Sequence, residues 1–255
     1  MSELLSPPTT SVSSDFIHSI IPATTDALFS ITGLEWLAML LSLAYVLLAA
    51  RGSLWCWPAA FISTALYTYI FYEFLLLMDS ALNAYYLVMA VYGFWVWRGN
   101  NTKNSKLAVD NETLHAIKNH SKSEVEAEAE SSFTVVSWQL NWHVKACAIL
   151  ALISAGWGYI MANYTPADFP YLDTFTTVYA VFATYLIAQK VLENWIYWIV
   201  IDVISIYLYL QKALYPTALL FIIFTGVAFY GYAKWRKLFI NKNEQPLSNN
   251  DGSFA

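Results

Sequence analysis

Seven stretches of this sequence are apolar on every side and long enough to cross a hydrocarbon layer, which takes roughly 20 helical residues. They run Thr32–Ala50, Leu54–Phe74, Ser80–Trp97, Val144–Ala162, Leu172–Gln189, Asn194–Leu210 and Pro216–Ala233. Barrel strands would alternate polar and apolar residues over ~10 positions, so these stretches predict helices. Only 12% of the 255 residues are charged, about half the share of a soluble domain. The expected fold is therefore an all-α integral membrane protein, with seven transmembrane helices grouped three, one, three.

What lies between the spans is polar. Residues 1–31 read as a tail with a possible interfacial helix: Met1–Ser14 has no Lys or Arg for a signal-peptide n-region, and Pro22 and Asp26 interrupt Asp15–Ile31. Residues 98–143 read as a cytoplasmic loop holding an acidic run, Glu124–Glu130, and 234–255 as a cytoplasmic tail. With seven spans, twelve of the thirteen Lys and Arg residues fall on one side of the membrane, leaving only Lys212 on the other. Cytoplasmic loops are enriched in these residues, which puts the N-terminus outside and the C-terminus inside a cell (inner) membrane. A net charge of −5 argues against nucleic acid as a partner.

Shifting the chain by 138 residues superposes Trp57 on Trp195, Tyr69 on Tyr207, Tyr92-Gly93 on Tyr230-Gly231 and Trp97-Arg98 on Trp235-Arg236. The run YG-x-x-x-WR closes the third span of both units, which points to duplication. Units 32–97 and 172–233, joined by a linking helix at 144–162, then become two parallel three-helix repeats about an axis along the membrane normal. Such an arrangement suits a carrier with a central site.

Ionised groups deep in a bilayer usually face a cavity or a partner, and Asp202 is the one acid near mid-span. Glu35, Glu73 and Asp79 lie within reach of the outer boundary. Trp195, Trp198 and Asp202 share a helix face, and Asn194 neighbours Trp198. A ring with a carboxylate beyond it suits a planar, cationic or polar heteroaromatic solute; the competing reading of the Trp pair is an interfacial aromatic belt. Asn83 and Tyr86, an i, i+3 pair in the third span, offer hydrogen bonds to a hydroxylated ligand or to another helix. Trp57-Pro58 and Tyr69 occupy the repeat-equivalent places and are expected to line the cavity opposite the sixth span. No Walker, H-E-x-x-H, C-x-x-C or G-x-S-x-G motif is present. His115 and His120 are too sparse for a metal site, and Cys56 and Cys147 read as packing residues, so neither catalysis nor a cofactor is expected.

These residues resemble the PnuC-type vitamin transporters over Leu34 to Lys237, chiefly through Trp57-Pro58, Leu77-Met78-Asp79-Ser80-Ala81-Leu82-Asn83-Ala84-Tyr85-Tyr86, Tyr92-Gly93-Phe94-Trp95-Val96-Trp97 and Trp195-x-x-Trp198. The resemblance implies a SWEET-related three-plus-one-plus-three fold and facilitated diffusion of a vitamin, best known as nicotinamide riboside, by alternating access. It also implies a homo-oligomer, specifically a trimer, and trapping of the vitamin by a cytoplasmic kinase. Its W-x-x-W falls on Trp195 and Trp198 and its N-x-x-Y on Asn83 and Tyr86. Thiamine or another vitamin is the alternative cargo, and a ligand sensor that moves nothing is the alternative class.

Overall fold

The structure, a computed structural model, describes residues 33–73, 77–112, 133–166 and 168–244. Within them lie seven helices: α1 (Gly33–Ala50), α2 (Cys56–Glu73), α3 (Leu77–Glu112), α4 (Leu140–Tyr164), α5 (Pro170–Ala188), α6 (Asn194–Gln211) and α7 (Tyr215–Glu244). The expected tail, the interfacial helix, both loop histidines and the acidic run lie outside the described residues. By length and composition, α1, α4 and α7 are apolar enough to cross a membrane. The other four carry more Tyr, Trp, Thr and polar residues, which lowers their hydropathy.

Six helices close into a ring. α1 packs on α2, α2 on α3, α3 on α5, α5 on α6, α6 on α7, and α7 returns to α1, while α4 lies outside against α5. Hydroxyls tie neighbours together: Ser63 Oγ donates to the Ala38 carbonyl (2.9 Å), Ser80 Oγ to that of Thr68 (2.9 Å) and Tyr85 OH to that of Val181 (3.1 Å). Away from water such bonds have no competitor. The outward surfaces stay apolar; Leu152 on α4 is 75% exposed and Val88 on α3 65%.

The 138-residue offset recurs in the backbone. After α1, Gly52 N–H donates to the Ala49 carbonyl (2.9 Å) and Ser53 N–H to that of Leu48 (3.0 Å). After α5, Lys190 N–H donates to Ile187 (3.0 Å) and Val191 N–H to Leu186 (3.0 Å). Both turns are Schellman caps with a left-handed residue, Gly52 at φ 70° and Lys190 at φ 58°. The ends of α1 and α5, the starts of α2 and α6, and the Trp97 and Trp235 turns of α3 and α7 meet at what we call the basic end, with Arg51, Arg98 and Arg236 exposed there.

The reading of 98–143 as loop is corrected at both margins. α3 continues through 98–112, and α4 begins at Leu140 rather than Val144. Hydropathy marks where apolar residues stop, but a helix stops only where something breaks it, and these polar residues include no proline. α7 likewise runs to Glu244.

Candidate functional site

Tryptophans organise the basic end in matched pairs. Trp57 lies edge-on to Trp97 (centroids 5.2 Å, 88°), and Trp195 stands the same way to Trp235 (5.4 Å, 88°). The glycine of YG-x-x-x-WR makes room for the first ring of each pair. A Cβ at Gly93 would stand 2.2 Å from Trp57 Cη2, and one at Gly231 2.7 Å from Trp195 Cε2. The second ring reaches into the other unit: Trp97 Nε1 donates to the Ala188 carbonyl (3.1 Å) and Trp235 Nε1 to that of Ala49 (3.2 Å). These carbonyls are helix C-terminal acceptors with no partner of their own within the helix. The Trp97 and Trp235 rings lie 6.2 Å apart, and Phe133 packs edge-on to both.

At the same end, polar groups stand without partners among the described residues. Asn194 is wholly buried; its Nδ2 donates to the Val191 carbonyl (2.6 Å), while its Oδ1 has no partner among the described residues. Trp57 Nε1 and Trp195 Nε1 are buried and likewise without a partner among the described residues. Each such group costs about 1–3 kcal/mol when left unmade, and two of the three sit on adjacent residues at the start of α6. Half-buried Trp198 packs against both apolar clusters of the ring. Tyr86 packs beside it on the cluster of Tyr179, Ala180, Ala183 and Ile201, which brings the α3 and α6 motifs to one locus. Asp202, one turn beyond Trp198, is 3% exposed and has no hydrogen-bond or ion-pair partner among the described residues. Asn83 is half-buried one turn from Tyr86.

The structure thus brings Tyr86 and Trp198 to one cluster and buries Asn194 and Asp202 on the same helix as Trp198, while Asn83 is half-buried and Trp57 and Trp195 are core rings seated on Gly93 and Gly231. Tyr69 is not brought in. It is 58% exposed, as is its counterpart Tyr207 at 51%, because twelve residues along a helix turn it about 120° from Trp57. Trp195 fits neither of its two expected settings cleanly, being a core ring seated on Gly231.

Other groups had no sequence signal. His143 Nδ1 lies 3.0 Å from Tyr197 OH, Cys147 Sγ 3.3 Å from the same hydroxyl, and His143 Nε2 3.6 Å from Glu193 Oε2, which together fasten α4 to α6. Lys190 is 1% exposed with no hydrogen-bond partner among the described residues, its ammonium 4.5 Å above Phe133 and 5.3 Å from the Trp97 ring. The one signal for Lys190 was its place opposite Gly52 in the repeat.

Burial lowers the Lys190 ammonium from its ordinary 10.5 to about 8, against a small upward pull from Cys56. Below pH 8 the group is charged whether folded or unfolded, and its burial penalty is constant. Between pH 8 and 10.5 the folded protein has released a proton that the unfolded chain still holds, so stability rises with pH. Lys190→Met removes the penalty: it is expected to raise the melting temperature at pH 7 by roughly 2–4 °C, the scale of ~1 kcal/mol in a domain of this size, with the gap closing towards pH 10. Melting curves of both proteins across that range check this.

The profile of the nicotinamide mononucleotide transporter family matches residues 32–237, a stretch that contains the ring, α4 and both motifs. The chain belongs to this family. It is a PnuC-type membrane transporter, not an enzyme. This transporter is 24% identical over 188 residues to the nicotinamide riboside transporter PnuC of Escherichia coli, covering 74% of this chain and 78% of the relative. It is 27% identical over 214 residues to that of Neisseria mucosa, covering 80% and 73%. Its fold matches the crystal structure of the vitamin B3 transporter PnuC with a TM-score of 0.60 over 91% of this chain and 93% of that one, at 19% identity.

Proposed function

We propose that the protein takes up nicotinamide riboside across the inner membrane by facilitated diffusion. In this reading the seven helices span the membrane as three, one and three, with the N-terminus outside and the C-terminus in the cytoplasm. Two parallel three-helix units rock about the central site and expose it to each side in turn. The chain works as a trimer, and a cytoplasmic kinase phosphorylates the vitamin and keeps the gradient inward.

The observation that carries the choice of cargo is the buried Asp202 carboxyl one turn from Trp198, which has no hydrogen-bond or ion-pair partner among the described residues. A cationic pyridinium stacked on that indole favours ionisation of the buried carboxyl and becomes its counter-ion, and the ribose hydroxyls meet Asn83, Tyr86 and Asn194 Oδ1. Charge also separates nucleoside from nucleotide. Among the described residues, α1, α2, α5 and α6 contain no Lys or Arg, so a phosphate would find no cation beside the acid. The E. coli and Neisseria relatives carry nicotinamide riboside in their names.

Counterflow of labelled nicotinamide riboside in proteoliposomes tests the reading. Exchange with unlabelled riboside but not with the mononucleotide or thiamine is expected. Exchange with thiamine alone would move the assignment to another vitamin. Binding seen as a melting shift without any exchange would make the protein a sensor.

A further inference from the structure

We propose that Phe133 is a gating residue: carried on the strap 133–138, it wedges between the two three-helix units at the basic end, and that end opens only when the ring withdraws. The proposal rests on the alternating-access reading above.

The strap is fastened to the α5–α6 turn. Val136 N–H donates to the Lys190 carbonyl (3.0 Å), and Leu192 N–H donates to that of Val136 (2.8 Å). Ser137 Oγ donates to Glu193 Oε1, and the Trp138 N–H to Glu193 Oε2 (3.3 Å). From this anchorage on the second unit the strap reaches the first. The ring of Phe133 is 7% exposed and lies 4.8 Å from Trp97 and 5.2 Å from Trp235, the two indoles whose N–H groups bridge the units.

The two turns show how the wedge is accommodated. At position 190 a lysine side chain crosses the interface and sets its ammonium over Phe133. The equivalent position in the first unit is Gly52, and a Cβ there would stand 2.8 Å from Phe133 Cδ1. The phenyl ring thus fills the space that a side chain at position 52 would claim. One aromatic from outside the repeats substitutes for the missing half of an otherwise two-fold arrangement. Separating the units at this end breaks the Trp97 and Trp235 bonds to the opposite unit and uncovers Phe133 on both faces. A strap anchored on one side and wedged on the other therefore resists that separation directly.

Native Cys56 reports on it. The residue is wholly buried in the same cluster as Phe133, Trp97 and Trp235, whereas half-buried Cys147 on α4 lies apart against Tyr197. The test compares N-ethylmaleimide modification of the two thiols in the full-length purified protein, resolved by peptide mass spectrometry. For Phe133→Ala, Cys56 is expected to react roughly five- to tenfold faster, the scale of losing two edge-to-face aromatic contacts, while Cys147 keeps its rate. Phe133→Leu is expected to fall between. An unchanged Cys56 rate, or an equal rise at both thiols, would overturn the proposal. If Phe133→Ala does not fold, Ser137→Ala loosens the strap from its outer side without touching the groups around Cys147, and is held to the same criteria. The assay uses no substrate, so failed counterflow with nicotinamide riboside would sink the cargo assignment and leave this readout standing.

Discussion

Gly93→Ala is expected to lower the melting temperature in detergent by about 5–10 °C. The methyl would meet three atoms of the Trp57 ring within 2.5 Å, closer than a side chain at that depth can relax. Overpacking of a well-filled core costs typically 1–3 kcal/mol, and three overlapping ring atoms call for the upper end. Alanine regains at most about 1 kcal/mol from its better helix propensity, and each remaining kcal/mol is worth about 2–4 °C in a protein of this length. Gly231→Ala follows in direction but less in size, since its nearest ring atom is 2.7 Å away. Gly226→Ala is the control: nothing lies within 4 Å of its Cβ position, so it should be neutral or slightly stabilising. Trp57→Phe, with a smaller ring, should restore part of the Gly93→Ala loss, and the coupling between the two substitutions measures the contact itself. Thermal melts of the four single variants and the double mutant are sufficient. If Gly93→Ala matched Gly226→Ala, the ring-on-glycine packing would be wrong.

The second large effect concerns transport. Trp198→Ala is expected to weaken nicotinamide riboside binding by about a hundredfold, the sum of a lost stacking contact and a cation–π attraction of up to ~2 kcal/mol, while Trp36→Ala changes it less than twofold. Trp198 packs, as Tyr86 of α3 does, against the cluster of Tyr179, Ala180, Ala183 and Ile201; Trp36 faces outward near the start of α1 and is 36% exposed. A binding titration on the purified variants reads the difference, and equal losses at the two positions would remove Trp198 from the site. Asp202→Asn should show the charge component alone, because the amide keeps the shape and loses the counter-ion.

Much of this architecture was legible before any coordinates. The apolar stretches located the cores of all seven helices, because a lipid environment demands length and composition of each helix separately. The YG-x-x-x-WR run marked the repeat but not its purpose. Its glycine was visible, yet the ring that fills the gap comes from a different helix 36 residues earlier, and no local pattern announces such a pairing. Tyr69 was misplaced for a related reason: repeat symmetry transfers a residue's environment to its counterpart, and it had no independent information about either Tyr69 or Tyr207. Phe133 and His143 lay in a stretch that hydropathy could only describe as not apolar. Their roles depend on a chain segment returning to the bundle, a tertiary event without a periodic trace.

The crossed indole bonds have a geometric consequence. Trp97 of the first unit reaches Ala188 of the second, and Trp235 of the second reaches Ala49 of the first, so each half offers both the donor and the acceptor. That approximates an isologous interface, in which one patch meets a copy of itself, with the acceptors one residue out of register because the repeat counterpart of Ala188 is Ala50. The chain carries, fused in one polypeptide, the contact by which a symmetric dimer of three-helix subunits would hold together. Fusion freed one copy to change without its twin, and position 190, lysine where the other half keeps glycine, is where the two halves have parted.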